Sequence, residues 1–306
     1  MSSLENIIRQ TIVDSGATMG VAIHHIESGD EINLNADESF PMASVLKIPV
    51  LCTAFRQIHE GKFALDDRWE LTYPEKNIGS GILTYLQNGL TPTVRDLLTL
   101  MIIISDNTAT DMVMNRVGVS TIDAFMQELG VPDIHMAMTI RGIFDDIFGH
   151  EGAEPSRLFG DLTKPKQMPP SSREGHAYRG GPTNNAATPR AMTQLCAMIY
   201  RGEVVNRDAC DDMLYIMLQQ QLNQRLPRFL PYGIPFAHKT GTLSGCRNDA
   251  GIMYANEQNH IAITVFSRWN AEAVSGDKVA EWARMEAIDS AMGHIGKAVY
   301  DHYKDR

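Results

Sequence analysis

Apolar residues near the N-terminus first recur at helical spacing and then alternate with polar ones. The helical spacing is set by Leu4, Ile7, Ile8 and Ile12, and it predicts an amphipathic helix. The segments GVAIHHI and EINLN alternate on either side of ESGD, a sequence typical of turns. The pattern therefore predicts a helix followed by a β-hairpin.

From about residue 44 to about residue 228 the periodicity is mostly helical. The helical segments are VLCTAFRQIHEGKF, TVRDLLTLMIIISDNTATDMVMNRVG, TIDAFMQELG, TPRAMTQLCAMIYRG and MLYIMLQQQL. A break is expected in the second segment at Ser105-Asp106-Asn107, and glycine closes the third and fourth.

The C-terminal part returns to strands and ends with a long amphipathic helix. The strand candidates are IPFAHKTGT, NDAGIMYA and HIAITVFSRW, and the helix is VAEWARMEAIDSAMGHIGKAVYDHYK. Strands at both ends of the chain predict an α+β sandwich: an antiparallel sheet of about five strands, flanked by the terminal helices, with an inserted all-helical subdomain. We expect one unit over 1–306, with 1–40 and 229–306 forming the α/β subdomain and 41–228 the helical one.

The stretch from 141 to 187 departs from this pattern. It is rich in Gly and Pro and has little periodicity. Structureless stretches of this length are uncommon in compact domains and are often functional. We predict a long loop here.

The charge balance narrows the classes of partner. Lys and Arg total 27 and Asp and Glu total 37, which gives a formal charge of −10. Without a basic cluster, nucleic acid and anionic membranes are disfavoured as partners. No apolar stretch approaches the roughly 18 residues of a membrane span. The first residues lack the regions of a signal peptide, which favours a cytoplasmic location, or a periplasmic or secreted one for a mature form.

The four cysteines do not predict a metal site. Cys52, Cys196, Cys210 and Cys246 form no CxxC pair and no zinc-type spacing with histidine. Cys52 and Cys196 lie in apolar helical segments, where a buried reduced thiol is favoured. The sequence alone leaves one disulfide possible. No cofactor is expected.

Candidate chemistry first arises in FPMASVLKIPV, where Ser44 and Lys47 lie three residues apart. On a helix this spacing brings the two side chains to one face. Serine needs an adjacent base to become a nucleophile, and lysine serves only when burial or a nearby cation lowers its pKa. The spacing alone is weak evidence, because it recurs at Ser275 and Lys278.

Two other short segments are equally ambiguous in isolation. Ser105-Asp106-Asn107 follows an apolar run, and these residue types also favour helix caps and turns. Lys239 lies in a strand candidate, where it could protect a sheet edge. Gly241 in the same strand indicates that another group lies close to the strand backbone at this position.

Together these segments form the set SxxK, SDN and KTG, in the order typical of class A β-lactamases and penicillin-binding proteins. The chain resembles that superfamily, and most closely its class A β-lactamase branch. GSGIL at 79–83, SDNTATDMVMNRVG and ATPRAM also resemble family segments in family order. Only the region 141–187 fails to match.

The resemblance implies a role for each matching residue near the reacting bond. Ser44 would be the acylated nucleophile and Lys47 its general base. Ser105 would pass the proton to the leaving nitrogen. Asn107 would hold Lys47 and the substrate amide.

It also implies a subsite for a small-molecule substrate that bears a carboxylate. Lys239 would supply positive field and Thr240 would bind the carboxylate, beside Gly241. The N–H groups of Ser44 and Thr242 would form the oxyanion hole. Arg247 is a candidate for the arginine that often grips the carboxylate in this family.

One family feature is not found. Class A β-lactamases have a Glu-x-x-Leu-Asn motif whose glutamate positions the water that frees the acyl-enzyme. Glu154 begins a segment that matches this motif only in part, and Glu174 is not followed by Leu-Asn. Asp145 and Asp146 are weaker candidates for the residue that positions the water.

Three functions therefore stay open. The first is a serine hydrolase acting on an amide, ester or β-lactam through Ser44. The second is a penicillin-binding-like protein that traps or transfers the acyl group. The third is a non-catalytic binding protein, which the intact motifs argue against.

Overall fold

The computed structural model describes residues 3–149 and 175–306. Its helices are α1 Ser3–Ser15, α2 Lys47–His59, α3 Val94–Ile103, α4 Asn107–Val117, α5 Val119–Glu128, α6 Ile140–Phe148, α7 Pro189–Arg201, α8 Arg207–Leu218 and α9 Lys278–Tyr303. Its strands are β1 Thr18–His25, β2 Glu31–Leu34, β3 Phe40–Pro41, β4 Ile134–His135, β5 Ala186–Ala187, β6 Phe236–Leu243, β7 Cys246–Asn256 and β8 Asn259–Arg268.

The main sheet takes its strands from both ends of the chain, as predicted. Its order is β2-β1-β8-β7-β6, and every pairing is antiparallel. β1 lies against β8, with Val21 opposite Val265, although 244 positions separate the two residues in sequence. The N-terminal hairpin is thus joined to the C-terminal strands, and the α+β architecture is confirmed.

Both faces of this sheet are buried, because alternate side chains enter two different cores. Val21 and Ile263 belong to the core shared with α1 and α9. Ala262 and Phe266 belong to the larger core shared with the helices between the strands. A sheet covered on both faces has apolar residues at successive strand positions, which explains runs such as IAITVF.

The loop prediction for 141–187 is wrong at its start. Residues Ile140–Phe148 form α6, which Thr139 caps by accepting a hydrogen bond from the Gly142 N–H at 3.1 Å. Ile143 and Ile147 bury one face of the helix. Beyond it, β5 joins β3 and β4 in a small sheet that the sequence pattern did not predict.

The four cysteines are buried and free. Burial raises the pKa of Cys52 well above its ordinary value and that of Cys196 to about 12. The expectation of reduced thiols at these two positions is confirmed, and the single disulfide left open does not form.

Candidate active site

Ser44 lies at one end of a cleft with a volume of about 520 Å³. It belongs to the single 3₁₀ turn Ala43–Leu46, which precedes α2. The backbone of Ala43 has φ +46°, in the left-handed region that L-residues rarely adopt. The chain therefore bends sharply just before the serine and presents its half-buried side chain to the cleft.

The sheet holds this turn in place from β6 and β7. A Cβ added to Gly241 would lie 2.5 Å from the Met42 carbonyl oxygen. The Asn248 amide donates to the carbonyl oxygens of Pro41 at 2.7 Å and Met42 at 3.0 Å. The close approach predicted from Gly241 is confirmed, and it fixes the serine turn against the edge strand.

Lys47 lies beneath the serine turn and is completely buried. Its Nζ donates to the Ser105 carbonyl oxygen at 2.7 Å, to Ser105 Oγ at 2.9 Å and to Asn107 Oδ1 at 2.9 Å. Burial lowers the pKa of Lys47 to about 7, against the opposing charges of Asp106 and Asp111. An amine with this pKa exchanges its proton near neutral pH, as a general base must.

The turn between α3 and α4 presents Ser105 and Asn107 to that amine. Ser105 has φ +60°, a second left-handed residue at the site. Asp106 caps α4 through the Ala109 N–H at 2.9 Å, and its other oxygen accepts the N–H groups of Ile82 at 2.7 Å and Leu83 at 2.9 Å. The middle residue of the SDN segment is therefore a structural clamp.

That clamp acts on the segment GSGIL. A Cβ on Gly81, which has φ +110°, would lie 2.3 Å from Asp106 Cγ. Ser80 Oγ donates to the Ser105 carbonyl oxygen at 2.6 Å. Ser80 was not among the predicted site residues, although it lines the cleft with Ser105 and Asn107. The GSGIL segment was the sequence signal for it.

Lys239 lies on β6, the edge strand of the sheet, next to the cleft-lining residue Thr240. It is fully buried, so it does not protect the edge from solvent. Its Nζ donates to the Thr240 carbonyl oxygen at 2.7 Å. Burial and then the charge of Lys47 hold the pKa of Lys239 well below its ordinary range. Thr240 and Thr242 line the cleft beside it.

His238, on the opposite face of β6, is packed and hydrogen-bonded. Its Nδ1 lies 2.8 Å from Asp249 Oδ1, and its Nε2 lies 3.0 Å from Asn223 Oδ1. Asp249 also accepts the Leu226 N–H at 3.1 Å. These partners hold the ring in place, which is a structural role.

An arginine that the sequence analysis missed contacts Thr242, one of the cleft-lining residues. Arg225 is buried and donates to the carbonyl oxygens of Gly241 at 2.7 Å and Asn248 at 2.6 Å. It donates to Thr242 Oγ1 at 2.5 Å and to Asp289 Oδ1 at 2.9 Å. No sequence signal marked it, because its partners come from distant strands and α9.

Arg247, the predicted candidate, makes a longer contact with the same threonine. Its Nη1 is 3.5 Å from Thr242 Oγ1, and its Nε is 3.8 Å from Asp289 Oδ1. Burial lowers its pKa. The structure therefore brings both arginines to Thr242, with the shorter contact made by Arg225.

The opposite wall of the cleft is apolar and belongs to α6. Its lining residues there are Ile140, Ile143, Phe144, Ile147 and Phe148. Asp145 and Asp146 are not among the lining residues, and Asp146 instead accepts the Ala177 N–H at 2.8 Å. Glu154 and Glu174 lie outside the described residues. Glu281 is the one carboxylate among the described lining residues.

Two kinds of feature are absent from residues 3–149 and 175–306. These ranges contain no group of three or more His, Cys, Asp or Glu side chains placed to hold a metal ion. None of their helices has both the length and the apolar character needed to cross a bilayer.

Comparison with known proteins gives one family. The model of the β-lactamase enzyme family matches residues 3–303. The chain is 24% identical to β-lactamase VEB-1 of Pseudomonas aeruginosa, over 99% of this chain and 90% of that one. The crystal structure of a β-lactamase from Sphaerobacter thermophilus matches with a TM-score of 0.75 and 26% identity, covering 97% of this chain and 94% of that one. A variant of PBP-A, in an acyl-enzyme complex with penicillin G, has the same fold (TM-score 0.75, 22% identity, 99% and 96% covered).

Proposed function

Because this chain belongs to the β-lactamase enzyme family and is a serine hydrolase of the class A type, we propose that its reaction proceeds through an acyl-enzyme on Ser44. The observation that carries the proposal is the buried Lys47 amine, with a pKa near 7 and hydrogen bonds to both Ser105 and Asn107. A lysine in a purely structural core would have no reason to converge with a serine hydroxyl at a cleft.

The proposed acylation step uses these groups in sequence. The neutral Lys47 amine takes the Ser44 hydroxyl proton while Ser44 Oγ bonds to the substrate carbonyl carbon. The N–H groups of Ser44 and Thr242 stabilise the resulting oxyanion. The carbon–nitrogen bond then breaks, Ser105 Oγ gives its proton to the leaving nitrogen, and Lys47 returns a proton to Ser105. Water later cleaves the ester and restores the serine.

The substrate carboxylate would bind at the end of the cleft near Thr240 and Thr242. Arg225 donates directly to the Thr242 hydroxyl, and Lys239 lies buried behind Thr240. A carboxylate arriving there would offset the burial and the like charge that lower the pKa of Lys239. We therefore assign the carboxylate grip to Arg225, with Arg247 as the outer cation.

The test is intact-protein mass spectrometry after incubation with a penicillin and with an activated ester. The wild-type chain should gain the mass of one acyl group, and Ser44→Ala should gain none. Ser275→Ala is the matched control, because it removes the serine of the second SxxK copy, and it should behave as wild type. An unmodified wild-type protein with every reagent, or equal labelling of Ser44→Ala, would sink the proposal.

Slow release of the acyl group is a second candidate, favoured by one observation. The wall facing the site from α6 is apolar, so it supplies no carboxylate to activate water. A PBP-A variant with the same fold forms an acyl-enzyme complex with penicillin G. The decay of the adduct on Ser44 separates the two candidates: loss within seconds indicates a hydrolase, and persistence for hours indicates an acyl trap.

A further inference from the structure

Resting on the proposed Ser44 acyl-enzyme, we infer that the apolar face of α6 is a pocket for the acyl side chain of the substrate. The pocket selects acyl groups with an extended aliphatic or aromatic side chain and disfavours short or polar ones. The argument depends on how α6 is built, where it lies and how it is held.

The face is continuous along the whole helix. Its members are at positions i, i+3, i+4, i+7 and i+8, which form one stripe of an α-helix. Ile140, Ile143 and Ile147 are each at most 5% exposed and join the core. Phe144 and Phe148 stay half-buried, with ring centroids 6.1 Å apart and planes 13° from parallel. The two rings therefore present a flat apolar surface to the cleft.

This surface begins next to the residues that would hold the reacting amide. Gly79 separates Phe144 from Asn107. A Cβ at Gly79 would lie 2.6 Å from Asn107 Nδ2 and 3.0 Å from Phe144 Cζ. An acyl group whose carbonyl carbon is bonded to Ser44 Oγ can thus extend past Asn107 onto the phenylalanine rings.

Other walls of the cleft suit the same occupant. Tyr178, Leu222 and Leu243 also line it. Against the side chains of Leu222 and Leu243, a polar acyl chain would lose hydration without gaining a hydrogen-bond partner. An apolar chain gains the transfer free energy of each group that it buries.

The helix is held firmly enough to act as a selective wall. Asp111, buried in α4, accepts the N–H of Ile140 at 2.7 Å and that of Arg141 at 2.8 Å. Arg141 in turn donates to the Lys76 carbonyl oxygen at 2.7 Å. The first turn of α6 is therefore fixed to the helix that also presents Asn107.

The experiment uses p-nitrophenyl esters of acetate, butyrate, hexanoate and octanoate with the full chain. In each reaction the Ser44 Oγ–carbonyl bond forms, the bond to the nitrophenyl oxygen breaks, and the p-nitrophenolate released is recorded as a burst. The acylation rate should rise about fourfold for each added CH₂ until the pocket is filled. Phe144→Ala and Phe148→Ala should lower the octanoate-to-acetate ratio at least tenfold. The ratio is taken within one preparation, so partial unfolding does not change it.

Tyr215→Ala is the control, because it removes an exposed aromatic ring that is not among the cleft-lining residues, and it should keep the wild-type ratio. Equal burst rates for acetate and octanoate in the wild-type chain would overturn the apolar pocket and leave the acyl-enzyme standing. So would phenylalanine variants with an unchanged ratio. Absence of any Ser44-dependent burst or adduct would overturn the proposed function, and the pocket with it.

Discussion

The two walls of the cleft are built from opposite kinds of residue. One wall presents Ser105 and Asn107 to the cleft, with the buried amines of Lys47 and Lys239 outside its lining, and these polar groups are hydrogen-bonded to one another or to the backbone. The other, formed by α6, is apolar along its length. Buried polar groups are stable only when their partners are fixed, so the first wall has one arrangement and one chemistry.

The residues of the apolar wall can vary more freely than those of the polar wall. Residues of the apolar wall can change the shape and size of the acyl pocket without disturbing proton transfer, because none of them exchanges a proton. The contrast indicates that bond formation is set by one wall, whereas substrate choice and the release of the acyl group are set by the other. Each prediction below tests that division.

The largest effect is expected from Lys47→Ala. It removes the only described amine that contacts both Ser105 and Asn107, and loss of a general base lowers rates by about 10²–10⁴-fold. The rate of Ser44 acylation by a penicillin, followed by mass spectrometry, measures it. Lys278→Ala, in the second SxxK copy, is the matched control and should leave the rate unchanged. A Lys47→Ala rate within threefold of wild type would refute the base assignment.

The next largest effect is expected from Arg225→Ala. A charge-assisted hydrogen bond contributes about 1.5–3 kcal/mol, so kcat/KM for a penicillin should fall about 10- to 100-fold. Hydrolysis of p-nitrophenyl acetate, which has no carboxylate, should change much less. Arg247→Ala should have the smaller effect because its contact with Thr242 is 3.5 Å long. If Arg247→Ala were the more damaging variant, the assignment of the carboxylate grip would be reversed.

The pH dependence of acylation should follow Lys47. Because burial lowers its pKa to about 7, the amine is protonated and inactive below that value. The acylation rate should fall about tenfold per pH unit below pH 7 and level off above it. Between pH 7 and the ordinary lysine value the unfolded chain binds more protons, so the Lys47 contribution to the free energy of unfolding rises with pH there. A rate that stays flat from pH 5.5 to 7 would point to another base.

How much the sequence could predict also differs between the walls. The polar wall comes from short motifs of the sequence: Ser44 and Ser105 line one cleft, and the Lys47 amine donates a hydrogen bond to Ser105. Arg225 escaped prediction because its partner Asp289 lies 64 residues away on α9. Helix α6 escaped because its apolar stripe lies at the start of a stretch whose glycine and proline content indicated a loop. Its first turn also depends on Asp111, 29 residues earlier. Residues in short local motifs could be predicted from the sequence, whereas residues that depend on partners far away in the chain could not.

The smallest effect, and the finest test of the apolar wall, is expected from Thr139→Ala. It removes the cap of α6, and loss of such a cap costs about 1 kcal/mol of stability, which urea denaturation measures. Thr188→Ala is the matched control, because Thr188 caps α7 in the same way through the Ala191 N–H at 3.2 Å. Both variants should lose similar stability, but only Thr139→Ala should lower the octanoate-to-acetate ratio. An equal ratio in the two variants would mean that the ordering of α6 does not determine acyl selectivity. The assignment of substrate choice to the apolar wall would then be wrong.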